Sequence, residues 1–202
     1  MKRLVLLVLV AVAAAACSRG TEDAEPPAGT TTAAATTTAA ELASTPRPTP
    51  VGETCDTRSE AEFGGAFVDP VNLVAGPFVL VGAGEPQPAS VVETYGGQKF
   101  PVLVRAGHTV LVEVPADARG LVALGYGPLP QGEIEFAEGH PAVRFEACSP
   151  DGPSSSTAGP GKPVTFWSGF VLAAEPTCAP LDLYLDGSAE PQRVEIELGA
   201  AC

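Results

Sequence analysis

The sequence predicts an all-β fold, an antiparallel β-sandwich of about eight to ten short strands, in the segment 51–202. The apolar residues of this segment fall in short runs that are cut by many of the chain's 22 Gly and 21 Pro. Several runs alternate apolar and polar residues with a period of two, the pattern of a half-buried strand, and none keeps helical spacing beyond about two turns. Strand-length runs about ten residues apart, with turn residues between them, are typical of sandwiches and barrels.

The strand signal recurs along the whole segment. In chain order it covers residues 76–81, 100–104, 109–114, 121–126, 133–136, 142–147, 164–172, 181–185 and 194–198. The last two runs give the clearest pattern, because Leu181, Leu183 and Leu185 alternate with polar residues. Asp186 and Gly187 follow directly and open a loop, so these two strands are expected to form a hairpin.

The N-terminus has a different composition. Lys2 and Arg3 precede an apolar run over residues 4–16, which ends in small residues. A basic start, an apolar core and a small-residue end predict a secretory signal peptide at residues 1–16. The apolar run of 13 residues is shorter than the roughly 20 that a membrane-spanning helix needs, which makes an uncleaved anchor the weaker alternative.

The segment Ala14-Ala15-Ala16-Cys17 resembles the lipobox of bacterial lipoproteins, with Ala14 in the place of the usual Leu. The resemblance implies that Cys17 is diacylated and becomes the first mature residue, a lipid anchor on the extracytoplasmic face of the cell membrane. Two acyl chains on one residue anchor far more firmly than a single chain does. The alternative is that Cys17 is an incidental cysteine after an ordinary cleavage site.

Residues 17–50 are predicted to form a disordered tether. The stretch 30–40 contains only Thr and Ala, and in the stretch 45–50 Pro alternates with Thr or Arg. Because the tether has no aromatic residue, it offers too little apolar surface to offset the entropy lost on ordering. A flexible coil of this length spans roughly 30 Å on average, which would hold a domain off the membrane.

The charge of the chain excludes one class of partner. The chain has 24 Asp and Glu against 11 Lys and Arg, a net charge of -13 and an isoelectric point near 4.4. Nucleic-acid binders show basic patches instead, so no nucleic-acid partner is expected. Cleavage before Cys17 removes two basic residues and no acidic ones, which leaves 24 against 9 and a charge near -15. Anionic headgroups repel such a chain, so membrane attachment is expected through the lipid.

Four cysteines follow Cys17, namely Cys55, Cys148, Cys178 and Cys202. In an exported protein they are expected to form two disulfides, and three connectivities are possible. Counting by twos along the last strand places Cys202 on its inward face, whereas Cys178 and Cys148 count as outward. This count favours the pairs Cys148–Cys178 and Cys55–Cys202. A redox role is not expected, because no C-x-x-C spacing occurs.

No metal site or cofactor is expected. His108 and His140 lie beside turn residues and are interpreted as solvated loop histidines. A zinc site needs three or four ligands at local spacing, and a copper site favours Met, which the chain lacks after the signal peptide.

No catalytic residue is expected either, so the chain is predicted not to be an enzyme. It has neither a G-x-S-x-G nor an S-x-x-K motif. The acidic pairs Asp182/Asp186 and Glu195/Glu197 alternate on strands whose other face is apolar. They are therefore interpreted as a solvated sheet face rather than as glycosidase carboxylates.

One aromatic cluster has two interpretations. In a strand, Phe166 and Phe170 share one face and Trp167 lies on the other. Trp167 either fills the core or faces outward beside Tyr126 or Tyr184 as a binding platform. The core is favoured, because the chain has one Trp and large aromatic residues are mostly buried.

Five short motifs carry a resemblance over most of residues 71–202. They are Val-Ala-Gly-Pro at 74–77, Val-Arg-Ala-Gly at 104–107, Phe-Glu-Ala-Cys at 145–148, Phe-Trp-Ser-Gly-Phe at 166–170 and Cys-Ala-Pro-Leu-Asp at 178–182. The segment is similar to small, uncharacterised secreted lipoproteins of high-GC Gram-positive bacteria. This resemblance agrees with an exported lipoprotein and implies no particular activity.

Together these observations predict a non-enzymatic, membrane-tethered β-sandwich that binds an envelope protein or glycan. One alternative is an exported enzyme or solute-binding accessory with an unrecognised site, and another is a structural envelope protein without a specific ligand. A deep pocket holding an acid pair or His108 would favour the enzyme. A flat face displaying Trp167 and a Tyr would favour partner binding.

Overall fold

A computed structural model describes residues 46–127, 134–152, 156–157 and 163–202, and over these residues the chain is an all-β sandwich, as the sequence predicts. The described residues contain thirteen strands in three sheets. This exceeds the eight to ten that the sequence predicts, because several strands are only two or three residues long and carry no readable alternation. The predicted signal peptide, Cys17 and residues 17–45 of the predicted tether lie outside the described residues.

In chain order the strands are β1 (Val51–Glu53), β2 (Leu73–Ala75), β3 (Phe78–Leu80), β4 (Gly97–Lys99), β5 (Val102–Arg105), β6 (Thr109–Glu113), β7 (Val122–Gly125), β8 (Ala142–Glu146), β9 (Ser156–Thr157), β10 (Pro163–Trp167), β11 (Phe170–Ala173), β12 (Thr177–Leu185) and β13 (Gln192–Leu198). One α-helix, α1 (Ala89–Tyr95), and two single 3-10 turns, Cys55–Thr57 and Phe136–Glu138, complete the described elements. No helix of the described residues is long and apolar enough to cross a bilayer.

Two five-stranded sheets face each other. The first has the order β1-β8-β6-β12-β13 and the second the order β2-β3-β5-β10-β9. All of their pairs are antiparallel except β1–β8, which is parallel. A third sheet of three strands, β4-β11-β7, continues the second layer after the chain leaves β10. The C-terminal hairpin is confirmed, with Leu181 opposite Val194 across β12 and β13.

The core lies between the layers. Its largest fully buried side chains include Phe78, Tyr126, Phe145 and Trp167, which come from all three sheets or their edges. Phe145 of the first sheet is central, because its ring lies 5.3 Å from that of Trp167 and 5.2 Å from that of Tyr126. Aromatic pairs at these separations add to the stabilisation that burial already gives.

A second, smaller apolar cluster covers the outer face of the second sheet. Phe166 points away from the main core, and Phe63 packs edge-on against it at 4.8 Å between ring centroids. The loop that carries Phe63 therefore shields a sheet face that would otherwise meet water. This cluster confirms the opposite orientations of Phe166 and Trp167 that the period-two pattern predicts.

Most predicted strands contain an observed strand, but one predicted strand is divided between two sheets and another is wrong. The run 164–172 is divided into β10 and β11 by Ser168 and Gly169, where the chain passes from the second sheet to the third. A Cβ at Gly169 would lie 2.1 Å from the ring of Tyr126, so only glycine fits this passage. The predicted strand at 133–136 is wrong in its described part, where a 3-10 turn begins at Phe136.

The domain begins a few residues earlier than the composition predicts. Residues 46–50, assigned to the disordered tether, are described and lie against the outer face of the first sheet. The Arg47 Nε atom donates to Glu113 at 2.9 Å, and its guanidinium lies 4.0 Å above the ring of Tyr184. An ion pair and a cation–π contact thus order a segment that has no apolar side chain apart from proline.

Candidate functional site

All four cysteines after Cys17 form disulfides, as expected, but the predicted pairing is wrong. The bonds are Cys55–Cys148 and Cys178–Cys202, rather than Cys148–Cys178 and Cys55–Cys202. The first bond follows from β1, which the sequence pattern did not reveal. Because β1 runs parallel to β8, with Glu53 opposite Phe145, the two strands end at the same edge of the sheet. The residues that follow them bring Cys55 to Cys148.

The second bond follows from a reversal of the chain after β13. Gly199 has a φ of +90°, in the left-handed region, so the alternation of the strand does not continue to Cys202. The chain turns back to Cys178 on the outward face, where the two Cα atoms lie 4.9 Å apart. Glu195 lies close to both sulfurs, but a disulfide leaves no thiolate to bind a metal.

The two histidines are in different surroundings. The His108 Nδ1 atom lies 2.9 Å from an Asp186 carboxylate oxygen, and the other oxygen accepts from the Thr109 N–H at 3.1 Å. The hydrogen bonds from His108 and Thr109 lower the pKa of Asp186, and both side chains of the pair are exposed. This contact ties the β12–β13 turn to the start of β6. His140 pairs through its main chain with Leu124.

The acidic residues of β12 and β13 form part of an outer sheet face. Asp182 is buried but accepts two hydrogen bonds from Arg193, at 2.9 and 3.0 Å. Glu195 is exposed and Glu197 is half-buried. The contact of Asp182 with Arg193 and that of Asp186 with His108 are structural pairings, consistent with the expected sheet face.

The predicted aromatic residues do not form a surface platform. Trp167 is 1% exposed and its indole N–H donates to the Thr54 carbonyl at 3.1 Å, so the core interpretation is confirmed. Tyr126 is also buried, and its hydroxyl donates to the Phe100 carbonyl at 2.6 Å. Burial raises the pKa of Tyr126. Tyr184 lies beneath the guanidinium of Arg47.

A different aromatic surface lies on the third sheet. It is a groove of about 410 Å³ between the end of α1 and the segment that leads to the second 3-10 turn. We call it the aromatic groove, and it is lined by Thr94, Tyr95, Gly96, Ile134, Glu135, Phe136, Phe170 and Leu172. The Tyr95 side chain is 74% exposed, one of the most exposed large apolar side chains of the described residues.

The floor of the aromatic groove is formed by side chains of β11. Phe170 and Leu172 point to the same face, and their partners across the sheet are Gly125, Ala123 and Gly97 as well as Lys99. The glycine and alanine partners leave space on this face for both side chains, of which Phe170 is half-buried and Leu172 is buried. A Cβ at Gly97 would lie 2.4 Å from the Val171 carbonyl oxygen, so glycine is required there for the close approach of β4.

The walls of the aromatic groove come from short elements outside the strands. The helix α1 packs Val92 into the core and ends at Gly96, whose φ of +68° lets its N–H donate to the Val92 carbonyl at 2.8 Å. Tyr95 is the last helical residue and lines one side. Phe136 starts the second 3-10 turn and lines the groove together with Glu135. The groove thus combines aromatic side chains with the Glu135 carboxylate and the hydroxyls of Thr94 and Tyr95, the usual composition of a ligand site.

A smaller cavity of about 230 Å³ opens near the edge of the sandwich. We call it the Glu53 cavity, and it is lined by Glu53, Thr57, Ser59, Gly127, Trp167 and Ser168. Glu53 is 4% exposed, and its carboxylate accepts a hydrogen bond from the Thr57 hydroxyl. Burial raises the pKa of Glu53, and the Thr57 hydrogen bond opposes part of that rise.

Neither cavity was predicted from the sequence. Tyr95 and Phe136 lie in helical turns, whereas the sequence pattern predicts only strands and loops there. Glu53 lies in a strand of three residues, which is too short to show an alternation. The apolar residues Val92 and Tyr95, at the i and i+3 spacing of one helical face, are the signal of a helical turn that the sequence offers here.

No known protein family, curated protein or solved structure matches this chain.

Proposed function

We propose that this chain is a non-enzymatic lipoprotein, anchored through Cys17 on the extracytoplasmic face of the cell membrane, whose β-sandwich binds an envelope glycan in the aromatic groove. The observation that carries the proposal is the groove itself, in which the exposed Tyr95 lines the same volume of about 410 Å³ as Phe136 and Phe170. An envelope protein is the alternative occupant.

The disulfides and the N-terminal sequence support a location outside the cytoplasm. Bonds such as Cys55–Cys148 and Cys178–Cys202 persist in oxidising compartments and are rare in the cytosol. The sequence around Cys17 resembles a lipobox, and the residues before it have the pattern of a signal peptide. A lipid on Cys17 would hold the domain close to the envelope glycans that the groove is proposed to bind.

The chemistry of the groove favours a sugar. Aromatic side chains offer large apolar surfaces at low entropic cost, and the apolar face of a sugar ring packs on such surfaces. Glu135 and Thr94 at the rim supply a carboxylate and a hydroxyl, which accept hydrogen bonds from sugar hydroxyls. Because the whole chain carries a charge of -13, a neutral glycan is favoured over a polyanionic one.

Truncation of the groove aromatics is expected to weaken glycan binding. Tyr95→Ala and Phe136→Ala should each reduce the affinity of the purified protein for isolated cell-wall polysaccharide by about tenfold or more, since aromatic anchors dominate binding energy. Cosedimentation with the polysaccharide measures the loss. Val68→Ala removes a side chain that is 85% exposed and does not line the groove, so it should bind like the wild type.

Two results would contradict glycan binding in the groove. One is wild-type affinity in the Tyr95→Ala and Phe136→Ala variants. The other is binding that disappears when the wall material is treated with protease but survives glycosidase treatment, which would identify a protein as the occupant.

Loss of the acyl acceptor is expected to release the protein from the membrane. Cys17→Ser should move the protein from the membrane fraction to the soluble fraction, because a chain with a net charge of -13 is repelled by anionic headgroups. It should also abolish incorporation of labelled palmitate, because it removes the acyl acceptor. Fractionation of intact cells measures the change, with Ser18→Ala as the control that keeps the cysteine. A Cys17→Ser protein that remains membrane-bound would contradict the anchor.

A further inference from the structure

We infer that the Glu53 cavity is a second binding site, independent of the aromatic groove, and that it takes a small organic ammonium group. In the parallel pair of β1 and β8 Glu53 lies opposite Phe145, so its carboxylate points with the Phe145 ring to the inside of the sandwich. A carboxylate on the inward face of an edge strand costs stability unless something compensates its charge.

Comparison with the other buried acids shows what is missing at Glu53. Three acidic residues of the described chain are more than nine-tenths buried, namely Glu53, Glu113 and Asp182. Glu113 pairs with two arginines at 2.9 Å, and Asp182 pairs with one at the same distance. Glu53 alone among these three has no basic side chain within ion-pair distance in the described part of the chain. It faces a cavity instead.

The lining of the cavity selects the charge of its ligand. The polar side chains around Glu53 are the hydroxyls of Thr57, Ser59 and Ser168, and no basic residue is among the described residues that line the cavity. This lining therefore favours a cationic ligand over an anionic one. One Glu53 oxygen accepts from Thr57. The other lies beside Gly127 on the wall of the cavity, where a Cβ added to the glycine would be 3.4 Å away. That oxygen is placed to accept from a ligand, and hydroxyls accept further N–H bonds.

The size and the aromatic wall favour an organic ammonium over a metal ion. A cavity of about 230 Å³ exceeds the space of a single ion, and Ca²⁺ requires six to eight oxygen ligands rather than one carboxylate and three hydroxyls. Trp167 forms part of the wall, and indole is the aromatic group that attracts cations best. An alkyl group bearing –NH₃⁺, as in amino sugars or lysine side chains, matches the apolar wall and the carboxylate together.

The experiment is a titration of ¹⁵N-labelled protein with ethylammonium chloride at neutral pH, followed by NMR. The amides of Ser59, Gly127 and Ser168 and the Trp167 indole N–H are expected to shift in a saturable way. Sodium chloride at equal ionic strength and ethanol, which has the same size without the charge, should not produce these shifts. D-glucosamine and Nα-acetyl-lysine amide then distinguish a sugar-borne from a peptide-borne ammonium by their relative affinities.

Two variants separate the site from surface charge. Glu53→Gln keeps the shape and the Thr57 hydrogen bond and should weaken ethylammonium binding by about tenfold or more, whereas Glu60→Gln removes the same charge from an exposed position and should bind like the wild type. Shifts that sodium chloride reproduces, or equal binding by Glu53→Gln and the wild type, would overturn the inference. Neither result depends on the aromatic groove, which the polysaccharide assay tests separately.

The pH dependence gives a test without a variant. Binding requires the carboxylate, so affinity should fall as the pH falls through the pKa of Glu53, which burial raises. The neutral form that burial favours stabilises the fold below the unfolded pKa of about 4.3, and that contribution is lost as the pH rises through the folded pKa. Glu53→Gln should therefore unfold at higher denaturant concentration than the wild type at pH 7, with the difference vanishing in acid. A Glu53→Gln protein less stable than the wild type at pH 7 would contradict an uncompensated carboxylate.

Discussion

Trp167→Ala is expected to lower the free energy of unfolding by about 3–5 kcal/mol, the range for removal of a fully buried large aromatic side chain. The indole is 1% exposed and packs on Phe145 at 5.3 Å between ring centroids. Its removal leaves a cavity where the first sheet meets the second, and it also removes the indole hydrogen bond to the Thr54 carbonyl, which then accepts only from Thr57. Urea unfolding followed by far-UV circular dichroism measures the change, because the substitution removes the fluorophore.

Two further variants show how much of the destabilisation comes from the lost volume, from the lost hydrogen bond and from burial. Trp167→Phe fills most of the volume but cannot donate to Thr54, so its cost should be about 1–2 kcal/mol. Tyr95→Ala truncates an aromatic side chain that is 74% exposed, and its cost should stay within about 0.5 kcal/mol. A loss below about 1 kcal/mol for Trp167→Ala would show that the core does not depend on this residue.

The contrast between Trp167 and Tyr95 also shows what sequence patterns can predict. The alternation correctly predicts that Phe166 and Trp167 lie on opposite faces, but not which face meets water, and the predicted shared face of Phe166 and Phe170 is wrong because they lie in different sheets. The loop with Phe63 covers one face, and a loop carries no periodic signal. Phe170 then shares a groove with residues of α1 because Gly169 passes the chain to another sheet, an event that a period of two cannot encode.

The C-terminal hairpin and the first disulfide show the same limit at the level of topology. The hairpin could be predicted, since both strands alternate regularly and the turn residues lie between them. The pairing of β1 with β8 could not, because Val51–Glu53 is too short for a pattern and its partner is distant in sequence. The position of Glu53 depends on that pairing, so the cavity that Glu53 faces could not be predicted from the sequence either.

Removal of Cys55–Cys148 is expected to destabilise the protein more than removal of Cys178–Cys202. The sequence separations are 93 and 24 residues. In the chain-entropy account, loops of these lengths contribute about 4.5 and about 3.5 kcal/mol, so the double variant Cys55→Ala/Cys148→Ala should be less stable than Cys178→Ala/Cys202→Ala by about 1 kcal/mol. Denaturant unfolding of both variants under oxidising conditions measures the difference.

The surroundings of the two disulfides are expected to increase this difference in stability. Cys148 is buried and its N–H donates to the Thr165 hydroxyl at 2.7 Å, and Cys55 begins the turn that carries Thr57 towards Glu53. Cys202 by contrast is the exposed last residue described. The Cys55→Ala/Cys148→Ala variant is therefore expected to lose ammonium binding in the Glu53 cavity, while the Cys178→Ala/Cys202→Ala variant keeps it. Equal destabilisation of the two variants, with both retaining the ammonium-induced shifts, would show that β1 stays on the sheet without its disulfide.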